Sequence, residues 1–80
     1  MTDYVKQWTT KAAKLLVGKT ITGVRYLTEE ERSTLGWYSR TLVLMLNDGT
    51  FVWASSDDEG NNAGALFTTD ENLITIPTIP

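Results

Sequence analysis

The segment from Ser39 to Ser56 constrains this chain more than any other. Two β-rich runs, SRTLVLML and TFVWASS, are separated only by Asn47-Asp48-Gly49. That is a hairpin signature, because a short reversal needs a residue tolerant of positive φ and Gly49 supplies it. Leu42 to Leu46 is apolar at every position, which predicts a central strand covered on both faces. Once a hairpin with a two-faced strand is fixed in the middle, the flanking segments must supply further strands and a covering layer.

The flanks read in that way. Residues 3–17 form an amphipathic helix: Val5, Trp8, Ala12, Leu15 and Leu16 recur near a 3.6-residue period, opposite Lys6, Gln7, Thr10, Lys11 and Lys14. Thr2 or Asp3 caps its start and Gly18 its end, with Lys14 and Lys19 complementing the negative end of the helix dipole. Residues 20–27, TITGVRYL, read as a strand. Ile21 and Val24 cannot share a face under strict alternation, so Gly23 marks a bulge. Thr28 followed by Glu31 is a capping box, and Gly36 is a stop, which predicts one or two helical turns over 29–35. ALF and NLITIP read as brief later strands, the last ending at Pro77 with an extended tail over 77–80. By helical and strand periodicity Trp8 and Trp53 both belong to the core, near each other.

The result is one α+β domain over 1–80: an N-terminal helix packed on a small, strongly bent antiparallel sheet of about four strands over 20–76. Stronger curvature would turn that sheet into a small barrel of the Src-homology-3-like kind. Eighty residues, 41% of them hydrophobic, suffice for a thin core only, so oligomerisation would help such a domain. Neither histidine nor cysteine is present, which removes disulfides, thiolate zinc sites, cysteine nucleophiles and histidine acid–base chemistry. No apolar run is long enough to span a membrane and the N-terminus lacks a signal-peptide pattern, so a cytoplasmic location is expected. All seven basic residues lie in the first forty positions, against four acids; the second forty hold six acids and no Lys or Arg. The two halves either interleave their charges in space or present a dipolar surface to a partner. A pI near 4.7 argues against nucleic acid as a ligand.

Two clusters could carry function. Gly36-Trp37-Tyr38-Ser39-Arg40 sets two large aromatics and an Arg where a loop enters the central strand. Trp, Tyr and Arg dominate binding hot spots because they bury much area and keep a polar handle. Trp37, Tyr38 and Arg40 are therefore the candidate partner-binding residues. The opposing reading has Trp37 closing the end of the core and Arg40 pairing with Asp57 or Glu59. The second cluster is the loop Ser55-Ser56-Asp57-Asp58-Glu59-Gly60-Asn61-Asn62, a dense group of oxygen donors. Asp57, Asp58, Glu59 and Asn61 are weak candidates for a metal or small ligand. An EF-hand register starting at Ser55 fails at its twelfth position, Leu66, where a bidentate Glu is required. Local capping of backbone amides explains such a loop equally well. No phosphate loop, GxSxG motif or Ser-Lys frame is present and no cofactor is implied, so an enzyme is not expected. Finally, NLITIPTIP carries no charge after Glu71 to blunt an edge strand, and paired edges are a common route to dimers.

Over residues 16–68 the strings LVGKTITGVRYLTEEE, GWYSR, LNDGT and DDEGNNAGALF resemble a group of short uncharacterised proteins of bacteria and cyanobacterial phages. GWYSR and DDEGNxxGAL are the most specific pieces, and neither is a catalytic signature. Where that group often reads Phe-Pro-Ser after the hairpin, this chain has Val52-Trp53-Ala54-Ser55, which lengthens the strand. The resemblance implies a small stand-alone, phage-borne protein and no activity. Together these readings predict a non-catalytic interaction protein whose partner is a second copy of itself, a dimer being favoured. A cation- or small-ligand-binding module on the 57–64 loop is the alternative.

Overall fold

The computed structural model describes residues 2–55 and 63–79. Helix α1 (Thr2–Leu16) leads into β1 (Ile21–Tyr26), α2 (Glu29–Leu35), β2 (Leu42–Leu46), β3 (Phe51–Ala54), β4 (Leu66–Thr68) and β5 (Thr75–Ile76). All strand pairs are antiparallel and the sheet is a meander in the order β1-β2-β3-β4-β5. The fold is thus α+β, with five strands in an open sheet. Among the described residues β1 and β5 do not pair, so the sheet keeps two edges instead of closing into a barrel.

The hairpin forms as its sequence dictates. Gly49 has φ 88°, Leu46 N–H donates to the Thr50 carbonyl and Gly49 N–H to the Leu46 carbonyl. Asp48 fixes the turn: its carboxylate accepts the Thr50 amide at 3.0 Å and pairs with Lys19 at 3.5 Å. The Thr50 hydrogen bonds, then the Lys19 charge, hold its carboxyl below the usual range. The same turn locks the entry to β1, because Asn47 N–H donates to the Thr20 carbonyl and Asn47 Oδ1 accepts Thr20 N–H.

The bulge expected at Gly23 is present as a register shift between Ile21 and Gly23. Met45 Cε lies only 2.5 Å from where a Cβ on Gly23 would stand, so the strand passes close to that side chain. Beyond the bulge, one row of partners crosses the whole sheet: Arg25, Val43, Trp53, Phe67 and Thr75. The other face carries Val24, Leu44, Val52 and Thr68. Each face holds part of the core, since Val43 and Val52 are both buried. β2 is thus an interior strand, next to the edge strand β1, and Leu42 at its start is exposed.

The two helices dock differently. α2 is set by its capping box: Thr28 Oγ1 accepts Glu31 N–H and Glu31 Oε1 accepts Thr28 N–H at 2.8 Å. It lies over the Arg25–Val43–Trp53 face, where it and the sheet bound a cleft. α1 docks through its C-terminal half, where Leu15 is buried and borders a groove with Lys19, Asp48, Asp70 and Leu73. Its N-terminal half leaves Tyr4 and Val5 exposed. Trp8 is half-buried, edge-on to Tyr4 and beneath the Lys11 ammonium. Trp53 instead packs edge-on to Phe67. No ring pair joins Trp8 to Trp53 among the described residues, because the two belong to different docking sites.

Candidate functional site

The three residues expected as one contact patch divide between two roles. Gly36 ends α2 in the left-handed region, φ 75°, with its N–H donating to the Arg32 and Ser33 carbonyls. That reversal brings Trp37 back to the sheet, where its ring stacks on Phe67 at 6.0 Å and 21°. Trp37 N–H donates to the Arg32 carbonyl and Arg32 Nη1 donates to the Trp37 carbonyl, so the residue is tied at both ends. Trp37 is half-buried and closes the end of the core. Tyr38, next in sequence, is fully exposed at 101%. Arg40 is exposed and its Nε lies 3.6 Å from Glu29 Oε1. Asp57 and Glu59, expected as its partners, lie outside the described residues, as do Asp58 and Asn61. Of that loop's start, Ser55 is held by its N–H and Oγ donating to the Ala65 carbonyl, which fixes the end of β3 against β4.

A second feature was not signalled by any motif. Arg25, on β1, bonds Glu31 on α2 through two contacts of 2.9 and 3.2 Å. Its guanidinium also reaches the Tyr26 carbonyl at 3.1 Å and lies 5.6 Å from the Phe51 ring centroid. The Arg25 hydrogen bonds, then the Thr28 amide, lower the Glu31 pKa from 4.5 to about 2. Behind this pair the cleft of about 530 Å³ has Leu27, Leu35, Val43, Phe51 and Trp53 on its walls. Trp53 Nε1 is buried and has no hydrogen-bond partner among the described residues. With Arg25 paired to Glu31, the cleft presents this apolar wall beside the Glu30 carboxylate.

The third feature is a row of exposed apolar side chains at one side of the sheet. Val24 is 55% exposed, Tyr26 60% and Ile21 56%. Tyr26 is the register partner of Leu42, itself exposed, and Val24 that of Leu44. All of them stand on the face opposite α2. Period-2 patterning hid this row, because TITGVRYL reads as a strand with a bulge and nothing more; what distinguishes it is that Arg25 is its one charge. Among the described residues no group of three or more metal-binding side chains assembles, and no helix is long and apolar enough to cross a membrane. No protein-family model matches the chain, and neither a curated protein nor a solved structure matches it.

Proposed function

We propose that this chain is a non-catalytic interaction protein that associates with a second copy of itself. The observation carrying this reading is the contiguous exposed apolar row of Ile21, Val24, Tyr26 and Leu42 on one sheet face. Clustered exposed apolar side chains mark contact surfaces, whereas isolated ones need no explanation. Tyr38, fully exposed next to the anchored Trp37, and Arg40 are secondary contacts in this reading. The proposed setting is the cytoplasm, of the host cell if the protein is phage-borne, with neither nucleic acid nor membrane as partner. Sedimentation velocity tests the reading: it requires a species heavier than 8.9 kDa that grows with concentration. A single monomeric boundary throughout would end it.

A second reading is favoured by the cleft under α2. Its volume of about 530 Å³ falls within the range of ligand pockets, and its walls suit an uncharged, largely apolar small molecule. Such a molecule would raise the melting temperature and quench Trp53 fluorescence. A panel of apolar probes that changes neither would dismiss it.

A further inference from the structure

Resting on the reading that the protein self-associates, we infer that the two copies join through β1, antiparallel about a two-fold axis at Val24, extending the sheet across the dimer. The argument begins with the hydrogen bonds β1 already makes. Leu27 N–H donates to the Thr41 carbonyl, so Leu27 faces β2. By the alternation of an antiparallel ladder, Arg25 and Gly23 face it too. The N–H and C=O of Val24, and the N–H of Tyr26, then point away from the sheet. Among the described residues no strand pairs with that side of β1.

Edges of this kind are normally blunted by free charge, proline or brevity. β1 has none of these over its six residues. Its one charge, Arg25, is paired with Glu31 and also donates to the Tyr26 carbonyl, which closes the acceptor at the end of the edge and leaves the Val24 groups open. β5, at the other edge, is two residues long and followed by Pro77. An added strand therefore has one place to go.

The occupant follows from the register. Paired antiparallel with itself, β1 has four candidate centres beyond Ile21 and Thr22; one at Tyr26, the last residue, sets Val24 opposite Thr28, outside the strand. Centring on Arg25 sets two guanidinium groups opposite one another, which is unfavourable. A centre at Gly23 puts both bulges on the axis, where they interrupt the ladder. With Val24 at the centre, its N–H and C=O meet those of Val24 in the second copy. Arg25 then stands across from Gly23, where no Cβ projects and the flexible end of Met45 occupies the space instead. Tyr26 faces the Ile21–Thr22 bulge, where pairing ends. The exposed Val24 and Tyr26 side chains of both copies merge into one apolar band on the face away from α2. The same six residues thus serve as both partners, as a two-fold contact requires.

Two variants test this in the intact chain. The protein has no cysteine, so Val24→Cys introduces a single thiol. Across a hydrogen-bonded pair the Cα atoms lie about 5.5 Å apart, within disulfide reach. Under mild oxidation Val24→Cys is expected to form a covalent dimer about tenfold faster than Tyr38→Cys, whose thiol is fully exposed but off the axis. Equal rates would overturn the register. Val24→Pro removes both central ladder donors without touching the β2 side, and is expected to weaken association about 30-fold. Circular dichroism checks its fold; if Val24→Pro does not fold, Tyr26→Lys takes its place with the same expected loss. An oligomer that survives a folded edge variant refutes the β1 contact while leaving self-association standing. A wild-type chain that stays monomeric refutes both.

Discussion

Both ends of the sheet are edge strands, and they treat their unpaired backbone differently. β5 pairs over two residues, and Pro77 withdraws the next donor from the ladder. β1 runs for six residues with apolar side chains at Ile21, Val24 and Tyr26, and its single charge is turned inward onto Glu31. A thin domain with little core cannot leave a long apolar edge in water without consequence, because the open ladder templates another strand. The contrast teaches that protection was built at one edge only. The Arg25–Glu31 pair sharpens it: the same interaction that anchors α2 removes the charge that would have repelled a second copy.

Breaking the long edge should have the largest effect. Val24→Pro, which loses only an outward-facing donor, should convert a concentration-dependent oligomer to monomer near the wild-type association midpoint, with melting almost unchanged. Equilibrium sedimentation of both proteins measures this.

The next effect is on the anchor. In the folded chain the Glu31 carboxyl is held at about 2, below its ordinary 4.5, because it accepts the Arg25 and then the Thr28 hydrogen bonds. A depressed folded value means the contribution is complete above pH 4.5 and is lost as pH falls toward 2. Thermal melts across that window should show wild type losing stability more steeply than Glu31→Gln, which starts lower. A Glu31→Gln profile parallel to wild type would mean the pair contributes nothing.

Removing the cap alone should cost less. Thr28→Ala leaves the Arg25–Glu31 pair and deletes one acceptor for the Glu31 amide, a loss of about 1 kcal/mol. Denaturant midpoints would reveal it. The smallest effect belongs to the short edge. Ile74 is 62% exposed beside β5, and Ile74→Lys should change neither mass nor melting measurably, since isolated surface substitutions stay within about 0.5 kcal/mol. Were Ile74→Lys to dissociate the protein as Val24→Pro does, the contrast between the edges would collapse.

The elements governed by local chemistry were legible in the sequence. The Asn47-Asp48-Gly49 turn, the Thr28–Glu31 box ending at Gly36 and the Gly23 bulge all stand where short-range rules put them. What could not be read depended on which strands became edges. NLITIPTIP, uncharged and β-rich, looked like the bare edge, yet pairing with β4 covers only Thr75 and Ile76 before proline intervenes. TITGVRYL read as a strand with a bulge and nothing more, and its exposure follows from the sheet staying open at β1. Trp37, Tyr38 and Arg40 are adjacent in sequence, but the reversal after Gly36 sends Trp37 onto Phe67 and leaves Tyr38 in water. Arg40 meets Glu29, a contact no spacing in the sequence signalled, because α2 returns its first turn to the segment before β2.

The central claim is that β1 is the contact between two copies. Its most direct measurement is absolute mass by light scattering behind a sizing column, run on wild type and Val24→Pro over the same wide concentration range. The account predicts wild type rising to twice 8.9 kDa, with Val24→Pro rising only at about 30-fold higher concentration. Two proteins with the same mass at every concentration, dimeric or monomeric, would contradict it.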